Sequence, residues 1–272
     1  MPIKLLSLAG FYFACLRAYF RPGYRWNLAT PWSFFSRAAI YFCNWCYFFF
    51  LNSAEYLFNL NRGPLLSWEH DLAKRYLSPS QFWIALTEGV KITGPETLYR
   101  LTYGETSWFG IASSLKAVDA QPNDVFYDLG CGTGRNVFFA HGVYGMKAVG
   151  IDLIAPFVKH AQEVAAQHHL DKVEFRHQNI FDVDVKPASI VYVTANCLDQ
   201  EWLGRLIHLL SDLRHGAWVI STARPIPSPD LKLLFTQKQF FSWGLDTVYM
   251  HRRLAPGELA EANHEAKNEV GA

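Results

Sequence analysis

No acidic residue precedes Glu55, although Lys4, Arg17, Arg21, Arg25 and Arg37 all fall in that stretch. No apolar run reaches the roughly 20 residues that a membrane-spanning helix needs. The strongest, Ala38–Leu51 (AAIYFCNWCYFFFL), could lengthen toward Leu60 only by burying Glu55, and an earlier run, Leu5–Leu16, is shorter. Cysteine is sparse: five residues, Cys15, Cys43, Cys46, Cys131 and Cys197, odd in number and scattered. That pattern excludes a secreted disulfide framework and favours a reducing compartment. Cys43 and Cys46 form a Cys-x-x-Cys with no second ligand pair to complete a zinc site, so they read as small apolar side chains, and no metal is expected. A net charge of +1 gives no overall attraction to nucleic acid or to acidic partners.

What the N-terminus has instead is aromatic residues interleaved with arginine. The favoured arrangement is a pair of helices lying in a membrane interface, aromatics inward and arginines on phosphates, with residues 1–60 as the contact and the chain cytoplasmic. A helical cap packed on the rest of the chain is the alternative. A cleaved targeting segment, mitochondrial in a eukaryote, is the third. Pro64, Pro79 and Pro95 punctuate the following region into short helices, with Ser78 as N-cap and Pro79 at the first helical position of one of them. Residues 1–95 are therefore set apart as a helical extension, 96–254 as the main domain, and 255–272, rich in Glu, as a flexible tail.

From Asn123 onward short apolar runs alternate with helical periodicity. Val125–Leu129, Ala148–Ile151, Val173–Phe175, Ile190–Val193 and Ala217–Ser221 read as strands. Asn136–Tyr144, Pro156–His168 and Gln200–Leu213 read as helices between them, the last with a face of Trp202, Leu203, Leu206, Leu209 and Leu210. Phe235–Trp243 and Thr247–Arg252 read as a closing strand pair turning near Trp243 and Gly244. This predicts an α/β fold: a doubly wound, mostly parallel, seven-stranded sheet with helices on both faces.

In such sheets ligands bind beyond the carboxyl ends of the strands at the topological switch point. The segment expected there is Asp128-Leu129-Gly130-Cys131-Gly132-Thr133-Gly134-Arg135. Gly130 and Gly132 let backbone approach a ligand, and Gly134 lets a helix pack near the strand. A dinucleotide site would place glycine where Arg135 stands, and Asp128 suits the positive amino group of a methionine moiety better than a pyrophosphate. Arg135 is a candidate cofactor contact, with a solvent-facing position as the alternative. Asp152, 18 residues after Gly134, lies near the ~20-residue offset of a carboxylate that holds ribose hydroxyls. Asn179 is the candidate partner of an adenine amino group, with Ile180 or Phe181 against the ring and Asp182 as the alternative if the loop is shifted.

Together these residues resemble the class I S-adenosylmethionine-dependent methyltransferases over roughly residues 95–253, which makes S-adenosyl-L-methionine the expected cofactor. Tyr103-Gly104-Glu105-Thr106 resembles the Tyr-Gly-Glu-Thr loop of the Dot-one-like (disruptor of telomeric silencing) protein-lysine methyltransferases. The resemblance implies donor contacts for Glu105 and Thr106. Gly216–Thr222 is similar to that family's fifth strand. Ser242-Trp243 with Tyr249-Met250-His251 is similar to its closing strands, where a tyrosine borders the lysine channel. Thr194-Ala195-Asn196 departs from the family's Asn-Asn-Phe, Asn179 from its acid near the adenine, and Asp152 replaces its ribose glutamate. The basic nucleosome-binding extension is not evident.

The resemblance implies methylation of a lysine amine, with Asn196, Tyr249 and Trp243 as the channel candidates. For Trp243 and Tyr249 a place in the core is the alternative, and for Asn196 a loop cap. A narrow aromatic channel favours the neutral amine by desolvation. A small-molecule or lipid acceptor and a cofactor-binding scaffold without turnover are the other readings. Nucleic-acid amino methylation is disfavoured, because the strand-four segment lacks Asn/Asp-Pro-Pro-aromatic. Cys131 and Cys197 near the cleft have no paired base, which argues against covalent catalysis.

Overall fold

The computed structural model describes residues 46, 49–50, 53–58, 64–94, 98–101, 103–255 and 257–258. The apolar runs before residue 46, Cys43 among them, and the acidic tail from residue 259 lie outside the described residues. The helices are α1 Leu65–Arg75, α2 Gln81–Thr93, α3 Trp108–Ala117, α4 Arg135–Tyr144, α5 Ala155–Gln167 and α6 Gln200–Leu210. The strands are β1 Val125–Leu129, β2 Lys147–Asp152, β3 Val173–His177, β4 Ile190–Thr194, β5 Trp218–Thr222, β6 Leu231–Phe241 and β7 Gly244–Arg253.

They form one seven-stranded sheet in the order β3-β2-β1-β4-β5-β7-β6, parallel from β3 through β5, with β7 antiparallel to both of its neighbours. The central strands are apolar throughout because both their faces are covered. Successive residues feed opposite cores. Phe126, Ala148, Ile190, Tyr192 and Ile220 join α3, α4 and α5 on one face. Tyr127, Val149, Val191, Val193 and Val219 join α6 on the other. The chain winds outward from β1 to β3 and then returns to β4, so the switch point falls between β1 and β4.

α1 belongs to the first of these cores. Leu65, Trp68 and Leu72 are buried on it. A side chain at Gly142 of α4 would stand 2.8 Å from both Leu65 and Trp68, so the two helices meet at the closest approach a glycine allows. Two expectations shift. Ser80, not Ser78, caps α2, its hydroxyl accepting the Trp83 N–H at 3.3 Å. β6 begins at Leu231, four residues earlier than the pattern predicts, because a register shift between Leu233 and Phe235 interrupts the alternation of buried and exposed side chains. α3 follows directly on the Tyr103–Thr106 loop, started by Ser107, whose hydroxyl accepts the Gly110 N–H at 3.1 Å.

Candidate active site

A cavity of about 190 Å³ opens at the carboxyl ends of β1 and β4. Its walls include Glu105, Thr106, Asp128, Gly130, Gly132, Arg135, Asp152, Ile180, Asn196 and Trp243, ten of the thirteen candidates named from sequence.

The glycine loop takes its shape from the two strands beside it. The N–H groups of Gly130 and Cys131 both donate to the Ile151 carbonyl at the end of β2, at 2.9 and 3.0 Å. Gly132 (φ 52°) could not carry a Cβ without crowding the Tyr103 ring at 3.0 Å. Gly134 (φ 86°) is the N-cap of α4 and does not line the cavity. Its place is to let α4 sit against β3, since a Cβ there would stand 2.5 Å from the Phe175 ring.

The acids divide into two roles. Asp152 accepts the Gly132 N–H at 2.7 Å on one oxygen and the Ile154 N–H at 2.8 Å on the other, so it ties the glycine loop to the start of α5 while still lining the cavity. Asp128 is 2 % exposed, and its Oδ2 is buried with no hydrogen-bond partner. Burial lifts its carboxyl to about 7, with the Asn136 hydrogen bond pulling down and the Asp152 charge pushing up. A buried, under-satisfied carboxylate beside a glycine cradle is a site for a cation with N–H donors, and the ammonium of a methionine moiety fits it.

The Tyr103–Ser107 loop closes one side. The Glu105 N–H donates to Ser242 Oγ at 2.8 Å, and the Ser242 N–H donates to the Glu105 carbonyl at 2.9 Å. Ser107 Oγ donates to the Phe240 carbonyl at 2.7 Å, and Thr106 pairs with Phe241 in an isolated bridge. The loop is thus bolted to the tip of the β6–β7 hairpin. At that tip Trp243 stacks on Phe241, centroids 4.4 Å apart, and packs on Gly104, where a Cβ would fall 2.5 Å from the indole.

Two of these candidates stand outside the walls, and a third lines the cavity with its charge already paired. Asn179 does not line the cavity: its amide oxygen accepts the Phe181 N–H at 3.0 Å and caps the short turn Ile180–Asp182. Tyr249 also stands apart from it. β7 runs away from the carboxyl ends of the parallel strands, and Phe241 pairs with Gly244 at the tip, so Tyr249 lies opposite Ser221 and Thr236. Its height is that of the carboxyl end of β5, since Ser221 is the last residue but one of that strand, but it stands two strands to the side of β4. Arg135 lines the cavity and does not face solvent. Its guanidinium is 8 % exposed and pairs with Glu55 at 2.9 Å, Glu69 at 3.4 Å and Glu105 at 3.1 Å, over the face of Trp108. Burial alone would push it down, but the three carboxylates hold it well above the usual arginine range.

Sequence reasoning missed Arg100, Phe157 and Trp202 in the walls. Trp202 was legible only as one residue of an amphipathic helix face, and Arg100 stacks on it at 5.0 Å while pairing with Asp199 and Glu201. Among the described residues no group of His, Cys, Asp and Glu is placed to hold a metal ion.

Residues 120–213 match the family described as a methyltransferase domain. The glycine cradle with the unpartnered Asp128 oxygen would fit the methionine end of S-adenosylmethionine. The 23S rRNA (uracil(1939)-C(5))-methyltransferase of Bordetella pertussis is 36% identical over 77 residues, 28% of this chain and 16% of that protein. The histone-lysine N-methyltransferase, H3 lysine-79 specific, of Caenorhabditis elegans is 28% identical over 138 residues, 44% of this chain and 14% of that protein. The chain thus spans less than a fifth of the length of these relatives. Among solved structures, an RNA methyltransferase of Salinibacter ruber in complex with S-adenosyl-L-homocysteine is 29% identical, with a TM-score of 0.46, covering 53% of this chain and 90% of that one.

Proposed function

We propose that this methyltransferase N-methylates a lysine side chain of a protein substrate. The observation that carries the reading is the Tyr103-Gly104-Glu105-Thr106 loop, which lines the cavity and is bolted to a hairpin tip bearing Trp243. Trp243 and the exposed Asn196 both line the cavity, and both would border a lysine stem entering with its amine leading. The similarity to the lysine-79 enzyme supports the same reading.

S-adenosylmethionine, when bound, supplies a methyl group on a sulfonium. The protein's part is to hold the acceptor amine neutral and in line, so that a C–N bond forms as the S–C bond breaks, the amine proton having left beforehand. Asp128 would hold the donor ammonium, Asp152 the ribose, and Ile180 would lie against the adenine. The reading with a ribosomal RNA acceptor is less well supported. Attack by a pyrimidine C5 needs prior activation by a nucleophile, and of the two cysteines on the cavity, Cys131 and Cys197, burial pushes the Cys131 thiol well up and keeps it protonated.

A membrane surface is a separate part of the proposal. Among the described residues no helix is long and apolar enough to cross a membrane. Phe50 and Leu57, in the stretch that follows the basic N-terminus, are exposed, as are Phe82, Trp83 and Val90 on α2. Residues 1–60 would rest against anionic lipid.

The acceptor is tested by incubating the protein with labelled donor and fractionated lysate. Label in protein that protease removes is the expected result. Label found only in organic extract, or released only by ribonuclease, overturns the lysine reading.

A further inference from the structure

The cavity is not built by the methyltransferase core alone. Glu55 precedes α1, Glu69 sits on α1, and Glu105 is on the Tyr103–Ser107 loop; all three converge on one guanidinium, at the first residue of α4. Arg135 Nη1 also donates to the Thr106 carbonyl at 3.2 Å. Glu55 uses its other oxygen to accept the Trp108 N–H at 2.8 Å, at the start of α3. Glu105 in turn accepts the Tyr103 hydroxyl at 2.5 Å, and that hydroxyl lies 3.3 Å from Thr133 Oγ1 inside the glycine loop.

We propose that Arg135 is the positioning residue of the donor site, and that Glu55 and Glu69 act through it to hold the Tyr103–Thr106 loop over the glycine loop. This rests on reading the cavity as the S-adenosylmethionine site.

The physical argument is one of charge and burial. Glu55 is 5 % exposed and Arg135 7 %, so neither is stable there as an unpaired ion. Without the guanidinium, three carboxylates would face one another around the loop, and their repulsion is relieved most readily by moving Glu105, the member on the least regular element. Moving Glu105 withdraws Tyr103 from Gly132, opening the wall of the cavity on which the donor lies. A lysine keeps the charge but lacks the fork that reaches several carboxylates at once. The N-terminal region is therefore part of the donor site even though Glu55 does not line the cavity.

The test is equilibrium binding of S-adenosylhomocysteine to the full chain, with thermal melts of each ligand-free protein alongside. Arg135→Met is expected to weaken binding about tenfold or more, Arg135→Lys less, and Glu55→Gln several-fold, since preorganisation of a site is read in its affinity. Glu55→Gln keeps its volume and its hydrogen bond to Trp108, so it decides the matter if Arg135→Met does not fold. A purely structural role would lower the melting temperature and leave the affinity of the folded fraction untouched; that result overturns the proposal. Failure of the wild-type chain to bind S-adenosylhomocysteine overturns the cavity's assignment instead.

Discussion

Asp128 offers a measurement in which folding and function pull against each other. In the folded chain burial lifts its carboxyl from 3.8 to about 7, so ionising it at pH 8 costs about 4 kcal/mol relative to an ordinary aspartate. Because the folded value is raised above the unfolded one, the associated stability is fully present below about pH 4. It is lost as the pH rises through 7. Asp128→Asn keeps the shape and removes the charge. Its amide would inherit the unpartnered position of Oδ2 at a cost of roughly 1–3 kcal/mol, leaving a net gain of about 1–3 kcal/mol at pH 8. For a domain of this size that is roughly 2–4 °C in Tm per kcal/mol. At pH 5 the wild-type protein has recovered about 2.5 kcal/mol of its penalty, and the advantage of the variant should vanish. The same substitution should abolish donor binding, because no negative charge is left for the ammonium. Denaturant melts at pH 8 and pH 5, with calorimetric titration of S-adenosylhomocysteine at pH 8, read all three. A variant less stable than wild type at pH 8, or equally able to bind, would refute the reasoning.

Other outcomes follow from the same geometry. Donor affinity of the wild-type chain should fall about tenfold per pH unit below 7, as Asp128 takes up its proton, whereas an affinity unchanged between pH 8 and pH 5 would remove the proposed ion pair. Asp152→Asn places an amide donor against one of two backbone N–H groups; losing a charge-assisted bond should cost about 1.5–3 kcal/mol in urea melts and weaken donor binding with it. Gly134→Ala combines a φ of 86° with a Cβ 2.5 Å from Phe175 and should destabilise by roughly 2–4 kcal/mol, read as a lower denaturation midpoint. If residues 1–60 hold a lipid surface, full-length protein should pellet with anionic liposomes, and an unchanged supernatant fraction would dismiss the anchor.

The parallel half was the most legible part of the sequence, and the reason is physical. Strands covered on both faces read as unbroken apolar runs, so β1 and β4 stand out, and their carboxyl ends mark the cavity without further information. The antiparallel edge is harder to read. β6 alternates imperfectly across its register shift and exposes Leu233 and Leu234, so its first residues carry no clear strand pattern. α3 is only ten residues long and includes Ser113 and Ser114, which hides its helical face. Residue roles that depend on partners far away in the chain were not legible. Tyr249 stands outside the walls because β7 lies two strands from β4, an order that the motifs do not reveal. The Asn179 oxygen serves its own loop, which spacing alone does not show. Arg135 was legible as a departure from a dinucleotide loop, but its partners lie 30, 66 and 80 residues away.

The hairpin tip has one more consequence. Ser242 and Trp243 are two residues at the end of an edge ribbon, yet Ser242 holds the Tyr103–Ser107 loop and Trp243 lines the cavity. Phe241 beside them is fully buried and bridges Thr106. A change at this turn would therefore reach the loop and the cavity wall at once, so the two cannot be varied independently.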